Sequence, residues 1–213
     1  MDFNGDSLPD LLVGDHAGFV EYYRAVEPGS TYPSLTAVGP IRCDDEHLDV
    51  GACSAPFVVD WDEDGLLDLV VGSVMKELRL FRNRGISPPY PLFTDYEPIL
   101  CQGEPISLGR TIPWMGDATG DGKKDLMLGI TVDIYSGGRV LFLENEGTNQ
   151  DPVFNGMDTL RYLGGDSIIV TQLSPYPLLF DWNSDGILDL VLGDSDGKIR
   201  IFEGTPRGGS QLF

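Results

Sequence analysis

The sequence predicts an all-β protein: a β-propeller or a segment of one, built from four repeats with antiparallel four-stranded blades. A short acidic motif occurs four times, at intervals of roughly 60 residues, and regular self-similarity is typical of repeat architectures. Each copy runs into short apolar segments bounded by Gly, Pro, Asn and Asp, which is the pattern of short strands. No stretch shows the apolar periodicity of a helix. Four antiparallel strands in each repeat would describe a propeller blade.

Strands are predicted at equivalent places in each repeat. An apolar run that opens with Pro precedes three of the motifs, at residues 56–59, 113–115 and 177–180. Each motif leads into a Leu-x-x-Gly segment, which ends at Gly14, Gly72, Gly129 or Gly193, and a second apolar segment follows after a hairpin. A Pro-x-Leu or Pro-x-Phe segment comes later in three repeats, at residues 33–35, 91–93 and 152–154. We interpret residues 1–213 as one propeller or propeller segment, with repeats at approximately 1–53, 54–110, 111–174 and 175–213, the first and last incomplete.

The second copy of the motif shows its chemistry most clearly. Asp60, Asp62, Asp64 and Asp68 occupy positions 1, 3, 5 and 9, and Gly65 at position 6 tolerates the positive φ that a sharp turn requires. Side chains that alternate along such a turn converge, and converging carboxylates repel one another unless a cation lies between them. Ca²⁺ takes several hard oxygen ligands in flexible geometry, so the motif predicts a calcium-binding loop.

An EF-hand is excluded, although the first six positions of the motif resemble one. An EF-hand requires a bidentate Glu at position 12 and a helix on each side of the loop. The flanking segments are predicted strands here. Position 12 is apolar in every copy: Val13, Val71, Leu128 and Leu192.

The recurring pattern Asp-x-[Asp/Asn]-x-Asp-Gly-x-x-Asp-Leu resembles the FG-GAP/VCBS repeats of integrin α-subunit propellers and of many bacterial surface proteins. The resemblance covers essentially the whole chain. It implies that each loop joins the first two strands of a blade and binds Ca²⁺, up to four ions in all. The implied ligands are the side chains at positions 1, 3, 5 and 9 and the backbone carbonyl at position 7: Asp2, Asn4, Asp6, Leu8 and Asp10; Asp60, Asp62, Asp64, Leu66 and Asp68; Asp117, Thr119, Asp121, Lys123 and Asp125; and Asp181, Asn183, Asp185, Ile187 and Asp189.

Two loops depart from this pattern. The first loop has Ser7 where the others have Gly, which predicts strain in its turn. The third loop has Thr119 at position 3, and Lys123 and Lys124 lie close by in sequence. A hydroxyl is a poorer Ca²⁺ ligand than a carboxylate, and the two ammonium groups oppose a bound cation. We therefore expect the second loop to bind Ca²⁺ most tightly and the third most weakly.

Composition limits the partners and the setting. The formal net charge is −20, and thirteen of the sixteen residues at loop positions 1, 3, 5 and 9 are Asp. A strongly acidic chain is a poor partner for nucleic acid or anionic membranes. No window approaches the roughly 20 apolar residues of a membrane span. Calcium loops of this open kind fill mainly where calcium is millimolar, so we expect an extracellular, cell-surface or periplasmic setting.

The leading functional interpretation is a non-catalytic binding or adhesion module that recognises a protein, a glycan or another copy of itself. The resemblance supports it, because such repeats serve in cell adhesion, lectins and bacterial surface assemblies. One alternative is a polysaccharide-degrading enzyme or its propeller portion, although the 14 Lys and Arg residues form no basic cluster for a uronate substrate. Another is a structural subunit of a self-assembling surface fibre. No catalytic residues are assigned, since His16 and His47 lack the sequence setting of a catalytic triad.

Several alternatives stay open at this level. The chain is either part of a larger propeller, a protomer completed by a neighbour, or a closed four-bladed ring. Cys43 and Cys53 either pair or remain thiols, and Cys101 would be left over. Trp61 and Trp182 hold position 2 of their loops, where they either stack on sugar rings or, as we favour, pack against the loop and the neighbouring blade.

Overall fold

The computed structural model describes residues 1–27, 34–87, 90–133, 137–161, 168–170, 175–193 and 195–205. Within these ranges the chain forms strands, turns and bends and no helix, which confirms the all-β class. The strands are β1 (Leu11–Gly14), β2 (Val20–Ala25), β3 (Leu35–Pro40), β4 (Arg42–Cys43), β5 (Glu46–His47), β6 (Ala55–Val59), β7 (Asp68–Gly72), β8 (Arg79–Phe81), β9 (Asn83–Ser87), β10 (Tyr90–Phe93), β11 (Glu97–Pro98), β12 (Leu100–Cys101), β13 (Glu104–Pro105), β14 (Thr111–Gly116), β15 (Asp125–Asp133), β16 (Gly137–Leu143), β17 (Asp158–Thr159), β18 (Ile169–Val170), β19 (Tyr176–Phe180), β20 (Asp189–Gly193) and β21 (Ile199–Phe202).

The chain divides into two compact units, and the first of them, Met1–Ile99, contains the strands of the first two repeat sheets. Strands β1, β2 and β3 form the antiparallel sheet of the first repeat. The second repeat has four antiparallel strands in the order β11-β8-β7-β6, as the sequence predicts for a blade. Its Pro-opened run is β6, which pairs with β7 across the acidic loop.

The second unit, Leu100–Phe213, contains the third and fourth repeats. The third repeat forms an antiparallel sheet in the order β14-β15-β16-β17, and β18 also pairs with β16. The fourth repeat contributes the antiparallel strands β19, β20 and β21. The Pro-opened runs predicted at residues 113–115 and 177–180 are parts of β14 and β19.

The Pro-x-Leu and Pro-x-Phe segments do not share one place in the fold. Residues 91–93 belong to β10, which pairs antiparallel with β9 and parallel with β4 in a separate sheet of the first unit. The buried side chain of Asn83 links β9 and β10, because it accepts the backbone N–H groups of Gly85 and Leu92 at 3.1 and 3.3 Å. Residues 152–154 form no strand, and Pro33 lies outside the described residues.

Successive repeats pack face to face within each unit. In the first unit, Val20 and Tyr22 of β2 share one buried cluster with Leu69 and Val71 of β7, and Phe3 from the first acidic loop joins them. In the second unit, β14 and β15 of the third repeat lie against β19 of the fourth. The alternation of side chains along a strand therefore gives each repeat two distinct faces.

Cys43 and Cys101 are thiols rather than parts of a disulfide. Burial raises the pKa of both, and the neighbouring carboxylates of Asp44 and Asp95 add to the rise at Cys43. A raised pKa keeps a thiol protonated at neutral pH, so neither group has the properties of an activated nucleophile.

Candidate metal centre

The acidic loops of the second, third and fourth repeats each connect the first two strands of a sheet. They join β6 to β7, β14 to β15, and β19 to β20, and the first loop leads directly into β1. The position of each motif relative to the strands is therefore the one that the sequence predicts.

All four loops share an unusual backbone conformation. Position 6 has a positive φ in every copy: Ser7 at 69°, Gly65 at 87°, Gly122 at 85° and Gly186 at 85°. Position 4 does too, which the sequence analysis did not predict: Gly5 at 79°, Glu63 at 62°, Gly120 at 74° and Ser184 at 62°. The strain expected at Ser7 is therefore present, and Glu63 and Ser184 carry a similar strain, since only glycine adopts this region freely.

Replacing Ser7 by glycine is expected to stabilise the protein by about 0.5–1 kcal/mol, because it relieves the left-handed conformation. The matched change Gly65→Ala should destabilise it by about 1 kcal/mol. A Cβ at Gly65 would meet no atom within 4 Å, so that loss would report the backbone alone. Urea denaturation in EDTA measures both changes in stability. Equal stability of the wild type, Ser7→Gly and Gly65→Ala would contradict the backbone strain that we assign to position 6.

The carboxylate at position 1 organises the turn. Asp2 accepts the N–H groups of Gly5, Asp6 and Ser7 at 2.8–3.1 Å. In the third loop Asp117 likewise accepts three N–H groups, from Gly120, Asp121 and Gly122. The two left-handed residues make this possible, because they turn successive N–H groups toward one point. These loops are therefore held together by their own backbone.

The carboxylate at position 9 is buried in every loop and ties the loop to the sheet. Asp10 accepts the N–H of Phe3 and the O–H of Tyr22 at its Oδ2, each at 3.0 Å, and the N–H of Ala25 at its Oδ1, at 2.9 Å. Burial and Asp10 hold the pKa of Tyr22 well above its usual range, so Tyr22 remains a donor. Equivalent pairs of backbone donors reach the other three: Trp61 and Asn83 to Asp68, Ala118 and Asn145 to Asp125, and Trp182 and Gly204 to Asp189.

The second loop is the one group of acidic side chains in the described part of the chain that converges as a metal site would require. One carboxylate oxygen each of Asp60, Asp62 and Asp68 lies within 4.8 Å of the others. The Oδ1 atoms of Asp60 and Asp62 are buried and have no hydrogen-bond donor. Burial raises the pKa of Asp68 to about 6, and the negative charges of Asp62 and Asp64 add to the rise. The N–H groups of Asn83 and Trp61, which donate to Asp68, lower this pKa but do not cancel the effect of burial.

This donor set fits a hard cation. Buried carboxylate oxygens without donors are unfavourable, and a divalent ion would satisfy them. Asp64 completes the predicted set in sequence but is not part of the converging group. Its Oδ1 instead accepts the N–H of Leu66 at 2.8 Å.

Arg82 borders the second loop, and the sequence analysis did not anticipate it. Its Nη1 lies 2.7 Å from Asp62 Oδ2, and its Nε lies 3.0 Å from Glu97 Oε1. The guanidinium therefore holds one oxygen of Asp62 and leaves Oδ1 for another partner. No motif marks this contact, since the two residues are twenty positions apart.

The third loop contains a positive charge of its own. Lys123 Nζ lies 3.7 Å from Asp121 Oδ2 and donates a hydrogen bond to the carbonyl of Asn145 at 3.2 Å. The backbone N–H of Lys123 and the positive charge of its side chain together hold the pKa of Asp121 below its usual range. Each of these contacts already stabilises the ionised Asp121 without a metal ion.

The first and fourth loops use Asn at position 3. Asn4 Nδ2 donates to Asp6 Oδ2, and Asn183 Nδ2 donates to Asp185 Oδ2, each at 3.0 Å. The same Asn side chains accept the N–H groups of Asp6 and Asp185 at 2.9 Å. In the first and fourth loops, an Asn amide thus takes the place of the carboxylate at position 3. This replacement lowers the negative charge of the loop.

The aromatic residues at position 2 have different environments. Trp61 is 5% exposed, whereas Trp182 is 56% exposed and contacts Phe180 edge to face at 5.6 Å. Phe3 is buried against Tyr22 and Phe93. The predicted packing role therefore holds for Trp61, and Phe3 at the same position of the first loop is buried too, whereas Trp182 presents its ring to solvent.

The family model for the FG-GAP-like repeat matches residues 2–71 and 60–128, and these matches include the first three acidic loops. Comparison with curated proteins and with solved structures found no match to the chain. Among the described residues, none belongs to a helix long and apolar enough to span a membrane. Because the matches extend over more than half of its length and coincide with the loops and sheets seen in the structure, the chain belongs to the FG-GAP-like repeat family.

Proposed function

We propose that this chain is a non-catalytic, calcium-binding module of β-propeller type. The observation that carries the proposal is the second loop, where carboxylate oxygens of Asp60, Asp62 and Asp68 converge and one buried oxygen each of Asp60 and Asp62 has no donor. Ca²⁺ suits such a set because it accepts hard oxygen ligands without strict geometry. The antiparallel sheets of the second and third repeats, with four and five strands, support the blade architecture.

Calcium would act mainly as a structural ion. The ion would offset the repulsion among Asp60, Asp62 and Asp68, so part of its binding free energy would appear as folding free energy. The other three loops would bind with lower affinity, because among the described residues their acidic side chains do not converge as those of the second loop do, and an Asn amide or the charge of Lys123 makes each of them less negative or leaves it already paired. The proposed order of Ca²⁺ affinity is therefore the one expected from the sequence, with the second loop binding most tightly and the third most weakly.

The proposed setting is extracellular, at the cell surface or periplasmic, where millimolar calcium would fill open loops. The proposed partner is a protein, a glycan or another copy of the chain. Exposed aromatic and aliphatic side chains on the fourth repeat, among them Trp182, support a recognition role.

Isothermal titration with Ca²⁺ tests the proposal and the order of the sites. We expect the wild-type protein to bind Ca²⁺ and Asp64→Ala to weaken the tightest binding event, since Asp64 completes the predicted set and its charge acts on Asp68. The matched variant Asp121→Ala, in the third loop, should leave that event unchanged. Equal losses in the two variants would contradict the order, and an absence of heat in the wild type at millimolar Ca²⁺ would exclude the calcium module.

A further inference from the structure

Arg82 and Asn83, at the junction of β8 and β9, contact two of the three carboxylates that converge in the second loop. The side chain of Arg82 contacts Asp62, with Nη1 2.7 Å from Oδ2. The backbone N–H of Asn83 donates to Asp68 Oδ1, also at 2.7 Å. Two consecutive residues of the second repeat therefore hold the carboxylates at positions 3 and 9 of the same loop.

The contact with Arg82 uses one oxygen of Asp62 and leaves the other without a donor. Oδ1 of Asp62 is buried and accepts no hydrogen bond, and the same is true of Oδ1 of Asp60. The terminal torsion of a free Asp side chain is broadly distributed, so a bond at Oδ2 restricts where Oδ1 can lie. Arg82 thus limits the orientation of Asp62 without occupying both of its oxygens.

The positive charge of Arg82 is compensated on its other side. Its Nε lies 3.0 Å from Oε1 of Glu97 in β11, so the guanidinium bridges two carboxylates. An uncompensated positive charge beside the loop would repel a bound cation. The carboxylate of Glu97 reduces this repulsion, whereas the contact that orients Asp62 is retained.

The other repeats do not combine an Arg at this junction with a carboxylate at loop position 3. In each repeat, one backbone N–H at the junction donates to Oδ1 of the carboxylate at position 9, and the donors are Ala25, Asn83, Asn145 and Gly204. The residues that precede these donors are Arg24, Arg82, Glu144 and Glu203. The residues at position 3 of the same repeats are Asn4, Asp62, Thr119 and Asn183. Among the described residues, the converging acidic group lies in the one repeat that has both features.

We infer that Arg82 is a positioning residue for the second loop, which orients Asp62 to bind Ca²⁺ through one oxygen and thereby raises the affinity of the loop. Residues that hold a metal ligand from outside the coordination sphere typically change metal affinity by about 10–100-fold when they are replaced. The orienting contact must therefore outweigh the repulsion between the guanidinium and the ion. This inference rests on the proposed calcium module.

Isothermal titration of Arg82→Gln with Ca²⁺ tests the role. We expect the dissociation constant of the tightest binding event to rise about tenfold or more, although the substitution removes a positive charge beside the loop. Arg84→Gln is the matched control, because Arg84 is exposed two residues away and its replacement changes the net charge equally. The control should leave the tightest event unchanged. An unchanged or lower dissociation constant for Arg82→Gln, or equal effects of the two variants, would overturn the positioning role.

A double-mutant cycle shows whether Arg82 acts through Asp62. Asp62→Asn keeps an oxygen at position 3, as Asn4 and Asn183 do in their loops, and removes the carboxylate that Arg82 contacts. In this background Arg82→Gln should raise the dissociation constant no further, because only the repulsion between Arg82 and the ion is left to remove. An equal rise in both backgrounds would overturn the action through Asp62.

Glu97→Gln tests the same contact from its exposed end. The side chain of Glu97 is 54% exposed, so its replacement leaves the folded chain intact even if Arg82→Gln does not fold. The variant releases one side of Arg82 and leaves its charge uncompensated, so the dissociation constant for Ca²⁺ should rise. A dissociation constant equal to that of the wild type would overturn the role.

The positioning role and the calcium module can fail separately. A wild-type protein that binds Ca²⁺, together with an Arg82→Gln variant that binds it equally well, would overturn the role of Arg82 alone. An absence of binding by the wild type at millimolar Ca²⁺ would overturn both. Urea denaturation of each variant in EDTA shows that it is folded under the conditions of the titration, so that a loss of affinity is not a loss of fold.

Discussion

Replacing Asp10 by alanine is expected to destabilise the protein by about 3–5 kcal/mol, measured by urea denaturation in EDTA. The change would leave the N–H of Phe3, the N–H of Ala25 and the O–H of Tyr22 without their acceptor. All three bonds are buried, and each buried donor without a partner costs about 1–3 kcal/mol. The carboxylate at position 9 would therefore be a structural element even in the absence of metal.

Asp6→Ala in the same loop is the matched control. Asp6 is exposed and accepts hydrogen bonds from within the loop, from Leu8 N–H and Asn4 Nδ2. Asp6→Ala should therefore lower the free energy of unfolding in EDTA by less than about 1 kcal/mol. Tyr22→Phe in the Asp10→Ala background should recover part of the loss, because it removes one unsatisfied hydroxyl. Similar destabilisation by Asp10→Ala and Asp6→Ala would contradict the distinction between the two positions.

In EDTA, the free energy of unfolding is expected to decrease by about 3 kcal/mol as the pH rises from about 4 to above 6. Burial raises the pKa of Asp68 from 3.8 to about 6 in the folded protein. The folded state therefore binds this proton more tightly than the unfolded state does. The resulting stabilisation is complete below the unfolded pKa and is lost as the pH rises through the folded one.

Calcium should reverse this trend, because the ion would bind the ionised carboxylate and stabilise it above pH 6. Urea denaturation at several pH values, in EDTA and in millimolar Ca²⁺, measures both slopes. Asp68→Asn is the control, since it keeps the shape of the side chain and removes its titration, so the component due to Asp68 should disappear. Identical pH slopes in wild type and Asp68→Asn would show that other carboxylates cause the effect.

The sequence by itself determined the repeat, the strand class and the positions of the loops. Spacing was sufficient because local chemistry fixes these features: Asp and Gly at set intervals make the turn, and β-branched runs beside it make strands. The positive φ at Gly65 followed from its place in the motif, and the strain at Ser7 from its departure from Gly. The family match agrees with this assignment.

The tertiary structure alone decided which carboxylates of the second loop converge and which other groups the acidic side chains contact. Asp10 and Asp68 accept donors from strands fifteen residues away, and Arg82 reaches Asp62 over twenty. The side chain of Asn83 likewise accepts the N–H of Leu92 in β10, nine residues away. Such contacts join residues far apart in the chain, and a local motif holds no information about which distant backbone or face will meet it.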